Sequence, residues 1–197
     1  MNTSILTKSG VGILTLATLV GCSGQVASRP NATASKLIPD ASSNQHFDAI
    51  PGQYPSAPPP VVAGQDQAPI GACVNLSGTT SKAVFRVTDC GAPDTNYRVI
   101  QRVSTPSECV GDADRRYYNL DSSGTGWTAC MDLAWAQNEC LIIQNISVQK
   151  VSCADSDAQG RQKPVALLTD TTSVNGCGTG GGFAHPVRRF TVCTEMQ

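Results

Sequence analysis

Eight cysteines spread over residues 70–197 constrain this chain more than any other feature: Cys73, Cys90, Cys109, Cys130, Cys140, Cys153, Cys177 and Cys193. An even set within one domain's length of chain reads as a disulfide framework, which needs an oxidising compartment. Zinc is the competing use, but structural zinc sites bring ligands in close pairs such as C-x2-C. Here the nearest neighbours, Cys130 and Cys140, lie ten positions apart, and His185 is the single histidine in residues 70–197. A redox C-x-x-C is also lacking. The domain is expected to carry no metal and no cofactor.

The ninth cysteine, Cys22, has a different explanation. Lys8 precedes an uncharged apolar run, Val11 to Val20. At about ten residues it falls well short of the roughly 20 needed to cross a bilayer core. A charged start, a short apolar run and small residues after it form the pattern of a secretory signal peptide. Leu19-Val20-Gly21-Cys22 resembles the lipobox of bacterial lipoproteins. The resemblance implies cleavage between Gly21 and Cys22, leaving a signal peptide of residues 1–21. It also implies diacylglycerol on the Cys22 thiol, with palmitate among the acyl chains. Stable anchoring generally takes two lipid signals, and two chains on one glycerol supply them. The alternative is an ordinary signal peptide with Cys22 incidental. The expected location is the extracytoplasmic face of the cell membrane, with the membrane a partner through the lipid.

Composition shifts after the lipobox. Eight of the chain's 12 prolines fall between residues 23 and 69. Large apolar residues are sparse there, so the segment is expected to remain disordered, with Pro58-Pro59-Pro60 extended as polyproline II. Residues 22–69 thus read as the lipidated cysteine followed by a Pro/Ser-rich tether, whose end-to-end distance is roughly 40 Å. A proline-rich docking ligand is the alternative use. Thr33, Ser35, Ser42 and Ser43 are positions where such a tether could accept sugars.

The remaining chain reads as mainly β. Lys82–Thr88, Tyr97–Val103, Arg115–Asn119, Glu139–Gln144, Ile146–Val151, Pro164–Thr169 and Val187–Cys193 are rich in β-branched or aromatic residues, with turn formers between them. Leu120 to Trp135 is the one place where a helical turn is considered. The cysteines repeat: each half has a cysteine opening a strand, a second ending the next segment, a third after a loop and a fourth after a strand. This predicts two tandem antiparallel β units, residues 70–133 and 137–197. One irregular β domain with coincidental spacing is the alternative. If the repeat holds, the favoured pairs are Cys73–Cys90, Cys109–Cys130, Cys140–Cys153 and Cys177–Cys193. A nested pairing within each half, first to fourth and second to third, competes with it.

A tether followed by Gly71-Ala72-Cys73-Val74, then Val87-x-x-Cys90 and Tyr97-Arg-Val-Ile100, resembles the LppU-type lipoproteins of mycobacteria and related actinobacteria. The resemblance implies an actinobacterial cell-envelope lipoprotein and no particular activity.

No catalytic constellation stands out. A Ser-His-Asp or Cys-His enzyme would have to use His185, which reads as a loop or surface imidazole. Gly178-Thr-Gly-Gly-Gly182 lacks the Lys-Ser/Thr ending of a phosphate loop and reads as a flexible loop. Asp112 and Asp114, beside Arg115 and Arg116, read as a solvated loop. Asp155 and Asp157 lack a full calcium-loop pattern. The Asn-x-Ser/Thr matches at Asn31, Asn75 and Asn145 carry little weight in a bacterial lipoprotein. A net charge of −1 offers no nucleic-acid surface. Trp127, Trp135, Tyr117 and Tyr118 are either core or the lining of a groove for glycan or peptide. The expected function is a non-enzymatic module binding an envelope protein or cell-wall component. An envelope enzyme or thiol-redox factor is the competing class.

Overall fold

The computed structural model describes residues 46–55, 61 and 63–197. Gly21, Cys22 and the rest of the signal and early tether lie outside the described residues. Ten strands make two five-stranded antiparallel sheets. Sheet A holds β1 (Cys73–Thr79), β2 (Lys82–Thr88), β3 (Tyr97–Val103), β4 (Arg115–Leu120) and β5 (Gly126–Leu133). Sheet B holds β6 (Glu139–Gln144), β7 (Ser147–Ser152), β8 (Arg161–Thr169), β9 (Gly182–His185) and β10 (Phe190–Met196). Among the described residues the single helical turn is a 3-10 turn at Pro106–Glu108.

The two sheets share one plan. Their orders, β2-β1-β3-β5-β4 and β7-β6-β8-β10-β9, are the same order with each strand number raised by five. In both, the first and third strands meet over only two residue pairs. In both, the third strand carries one extra residue opposite the last strand's cysteine region: Ile100 near Cys130, and Val165 near Cys193. Superposing Cys130 on Cys193 therefore matches Tyr117 with Phe183, Asn119 with His185 and Trp127 with Phe190. Shared order, junction and bulge identify the two halves as copies of one unit.

Four disulfides join Cys73 to Cys90, Cys109 to Cys130, Cys140 to Cys153 and Cys177 to Cys193. Each closes within one sheet and in sequence order, not in the nested pattern.

One hydrophobic core draws on both sheets. Val74, Val99, Ala129 and Met131 of sheet A pack in the same cluster as Leu141, Phe190 and Val192 of sheet B. Each fully buried aliphatic or aromatic side chain contributes about 1.5–3 kcal/mol against exposure. A smaller cluster of Ile100, Val103, Cys109 and Cys130 lies on the other face of sheet A.

Two expectations fail here. Residues 46–55 and 63–69 are packed chain and not free tether: Phe47, Ile50 and Ala68 belong to the core, and Gln53 is 2 % exposed. Arg102 holds this strap by donating to the carbonyls of Val61 and Ala68. Gly64, at φ +74°, lies so close to Trp127 that a Cβ there would stand 2.4 Å from the indole. Proline content hid a few apolar anchors. The considered helical turn is likewise strand β5, whose Trp127–Leu133 are all buried. A strand covered on both faces loses the alternation that marks a half-buried one.

Candidate functional site

An open groove of about 390 Å³ lies at sheet A, lined by Asp66, Gln67, Phe85, Val87, Tyr117, Asn119 and Trp127. Alternation along β2 and β4 turns Phe85, Tyr117 and Asn119 toward one side of the sheet. Phe85 and Tyr117 come from its two edge strands, yet their rings stack with centroids 4.8 Å apart. Sheet A is therefore strongly curled, and its edges approach each other across the groove. Trp127 forms the floor, 5.9 Å from Phe85 and 5.8 Å from Tyr117. Its indole N–H donates to Gln67 Oε1 at 3.0 Å, which fixes the amide of the strap at the rim.

The equivalent place in sheet B is closed. His185, which stands where Asn119 stands in sheet A, is 1 % exposed. Its ring stacks on Phe190 at 4.2 Å, and Phe183 packs on Trp135 at 5.1 Å. Charged groups from both sheets complete the seal. Arg188 Nε donates to Asp112 Oδ1 at 2.7 Å, and its terminal nitrogens donate to both Asp132 oxygens at 2.6 and 3.0 Å. The same nitrogens also donate to the carbonyls of Gln53 and Asp112, each at 2.8 Å. All five guanidinium donors are thus engaged. His185 Nε2 lies 3.2 Å from Asp114 Oδ1.

This network shifts its members. Burial pushes the Asp132 carboxyl up, as does the nearby Asp114, against the pull of Arg188. Burial also acts to raise Asp112. Hydrogen bonds from the Arg188 backbone and guanidinium and from Val187 N–H outweigh it and leave Asp112 below the usual carboxylate range. Arg188 is held protonated: burial opposes its charge, and Asp132 and Asp112 overcome that. A depressed carboxylate contributes stability above its unfolded pKa of about 3.9, which is lost as pH falls through the folded value. Asp132 has the opposite sign, so its charged form weighs against the fold as pH rises above about 4. In urea titrations at successive pH values, Asp112→Asn is expected to be less stable than wild type at neutral pH. The gap should narrow below about pH 4; a constant gap would mean Asp112 is not ionised in the fold.

Asp114, Asp132 and His185 each offer a possible metal ligand within 4.8 Å of one another. They do not fit a cation. Both Asp132 oxygens face the Arg188 guanidinium, and Asp114 is engaged by His185 and by Leu133 N–H at 2.9 Å. The arrangement is an ion network clamping the two sheets.

Several sequence expectations change accordingly. His185 is neither in a loop nor at the surface. Asp112 is not solvated, because Arg188 binds its nearly buried carboxylate; Asp114 remains an exposed residue, although its carboxylate meets His185. The glycine run is packed only in part: a Cβ at Gly180 would clash with the Thr194 carbonyl oxygen and one at Gly182 with that of Val192, whereas nothing lies within 4 Å of one at Gly178 or Gly181. Asp155 and Asp157 lie in an exposed turn, where Asp155 Oδ1 accepts Asp157 N–H at 3.1 Å. Of the four aromatics singled out, Trp127 and Tyr117 line the groove, Trp135 belongs to sheet B's seal, and Tyr118 is 45 % exposed on β4. Phe85, Asn119, Asp66 and Gln67 were not anticipated. Along Lys82–Thr88, Ala83, Phe85 and Val87 alternate with Val84, Arg86 and Thr88, and that apolar face was the available signal.

No family model, no curated protein and no solved structure matches this chain.

Proposed function

We propose that this chain is an exported lipoprotein, anchored by diacylglycerol on Cys22 at the outer face of the cell membrane. Its disulfide-stapled domain is a non-enzymatic binding module for an envelope component. The observation that carries the binding reading is the open aromatic groove of sheet A, set against its sealed counterpart in sheet B. Exposed aromatic concavities with a few fixed polar groups are the usual form of a ligand site.

Four disulfides support an oxidising, extracytoplasmic address. They also weigh against a thiol-redox factor, since every cysteine from Cys73 onward is paired. The enclosure of His185 weighs against a hydrolase built on it, because a substrate could not reach the ring. Anchoring has a direct test. The protein should partition with membranes, and its N-terminal peptide should carry diacylglycerol on Cys22. Cys22→Ser should release a folded protein with its disulfides intact. A wild-type protein that is soluble and unlipidated would overturn the anchoring.

A further inference from the structure

We infer that the groove of sheet A takes an uncharged glycan, a reading that rests on the groove being the module's binding surface. Its lining includes one carboxylate, Asp66, and no lysine or arginine. Phosphorylated, sulfated or carboxylate-bearing ligands would find no counter-charge there. The rest of the lining pairs apolar rings with primary amides. Phe85 and Tyr117 form an apolar wall over Trp127. Gln67 and Asn119 supply amides, and Gln67 is oriented because its oxygen accepts the Trp127 indole N–H. That leaves its NH2 group to donate. An amide both donates and accepts, as does a hydroxyl. A sugar ring has the matching form, with C–H groups on its faces and hydroxyls at its rim.

Peptides are usually gripped differently, by main-chain bonds along a strand edge with pockets for alternate side chains. Here the alternation of β2 and β4 offers a ligand side chains from one side of the sheet, and the strap carrying Asp66 and Gln67 forms another wall. The repeat strengthens the argument. The unit can seal this place, as sheet B does with His185, Phe190 and Phe183. In sheet A the corresponding positions hold Asn119, Trp127 and Tyr117 around an open cleft. Packing alone does not require that difference.

The test uses the full chain purified from membranes in a detergent without a sugar headgroup, probed on an array of neutral hexose, pentose and N-acetylhexosamine oligomers, with anionic oligomers and extended peptides on the same array. Positive oligomers are then titrated against the Trp135→Phe variant, in which Trp127 is the sole tryptophan and reports on the groove. The expected result is saturable binding with a change in Trp127 emission, weakened about tenfold by Asn119→Ala, as for one or two lost hydrogen bonds. Circular dichroism checks that both variants are folded. If Trp135→Phe is not, competition on the wild-type protein replaces the emission readout. Binding only to anionic oligomers overturns the uncharged-glycan inference. Binding of an extended peptide that Asn119→Ala weakens, with every glycan silent, also overturns it and leaves the groove as the binding surface. If no ligand responds to Asn119→Ala, the groove reading itself fails.

Discussion

Replacing Arg188 with leucine is expected to lower the unfolding free energy by about 3–5 kcal/mol, the usual result of removing one partner of a buried ion pair. Arg188 is the only cation hydrogen-bonded to Asp112 and Asp132 among the described residues, and both its side chain and Asp132's are 3 % exposed. Without it, two carboxylates remain in the interior with Asp114 close by. Charging them there is the large penalty, and the lost hydrogen bonds to the Gln53 and Asp112 carbonyls add to it. Arg188→Lys keeps the charge but not the fork, so an intermediate loss is expected. Arg188→Leu combined with Asp132→Leu should recover part of the stability, because burying apolar side chains in place of a charge pair is often near neutral. Urea unfolding with the disulfides intact measures all three. A loss below about 1 kcal/mol for Arg188→Leu would place the pair among solvated surface ion pairs.

The network was illegible in the sequence for a physical reason. Arg188 lies 56 positions from Asp132 and 76 from Asp112. No local pattern joins them, and the packing of the turn between β9 and β10 against Asp112 and Asp132 brings them together. Cysteine spacing carried more, because a cysteine at each end of a hairpin constrains which strand ends meet. Alternation revealed β2 and β3. It failed at β5, buried on both faces, and at β9, where Gly182 begins a four-residue strand. Composition misread the strap: prolines are compatible with a packed run of turns when a few side chains such as Phe47 and Ile50 reach the core. Two of the groove's seven lining residues, Trp127 and Tyr117, stood out as aromatics of double meaning. The polar ones did not, since exposed Asp and Gln residues are common and only the curl of sheet A makes these converge.

Removing the Cys109–Cys130 disulfide should be the most damaging of the four disulfide deletions, and the comparison with Cys140–Cys153 tests why. Loop closure alone predicts nearly equal losses, about 3 kcal/mol each, because the entropy depends only logarithmically on separations of 21 and 13 residues. The two differ in what they hold. Cys109 and Cys130 are both buried in the small cluster with Ile100 and Val103, whereas Cys140 is buried and Cys153 only half-buried, so replacing Cys109 and Cys130 with alanine removes more packed sulfur. Cys109 further anchors the loop that carries Asp112 and Asp114 to the sheet interface, three and five residues along. Loosening it should weaken the hold on Arg188 and His185. The double replacement of Cys109 and Cys130 is thus expected to exceed that of Cys140 and Cys153 by about 1 kcal/mol or more. Its effect should also be less than additive with Arg188→Leu, since contacting groups in one network couple by about 0.5–3 kcal/mol. Equal losses and full additivity would show that Asp112 is positioned by the turn around Val110 and Ala113 without help from the disulfide. The clamp between the two copies would then be independent of the staples within them.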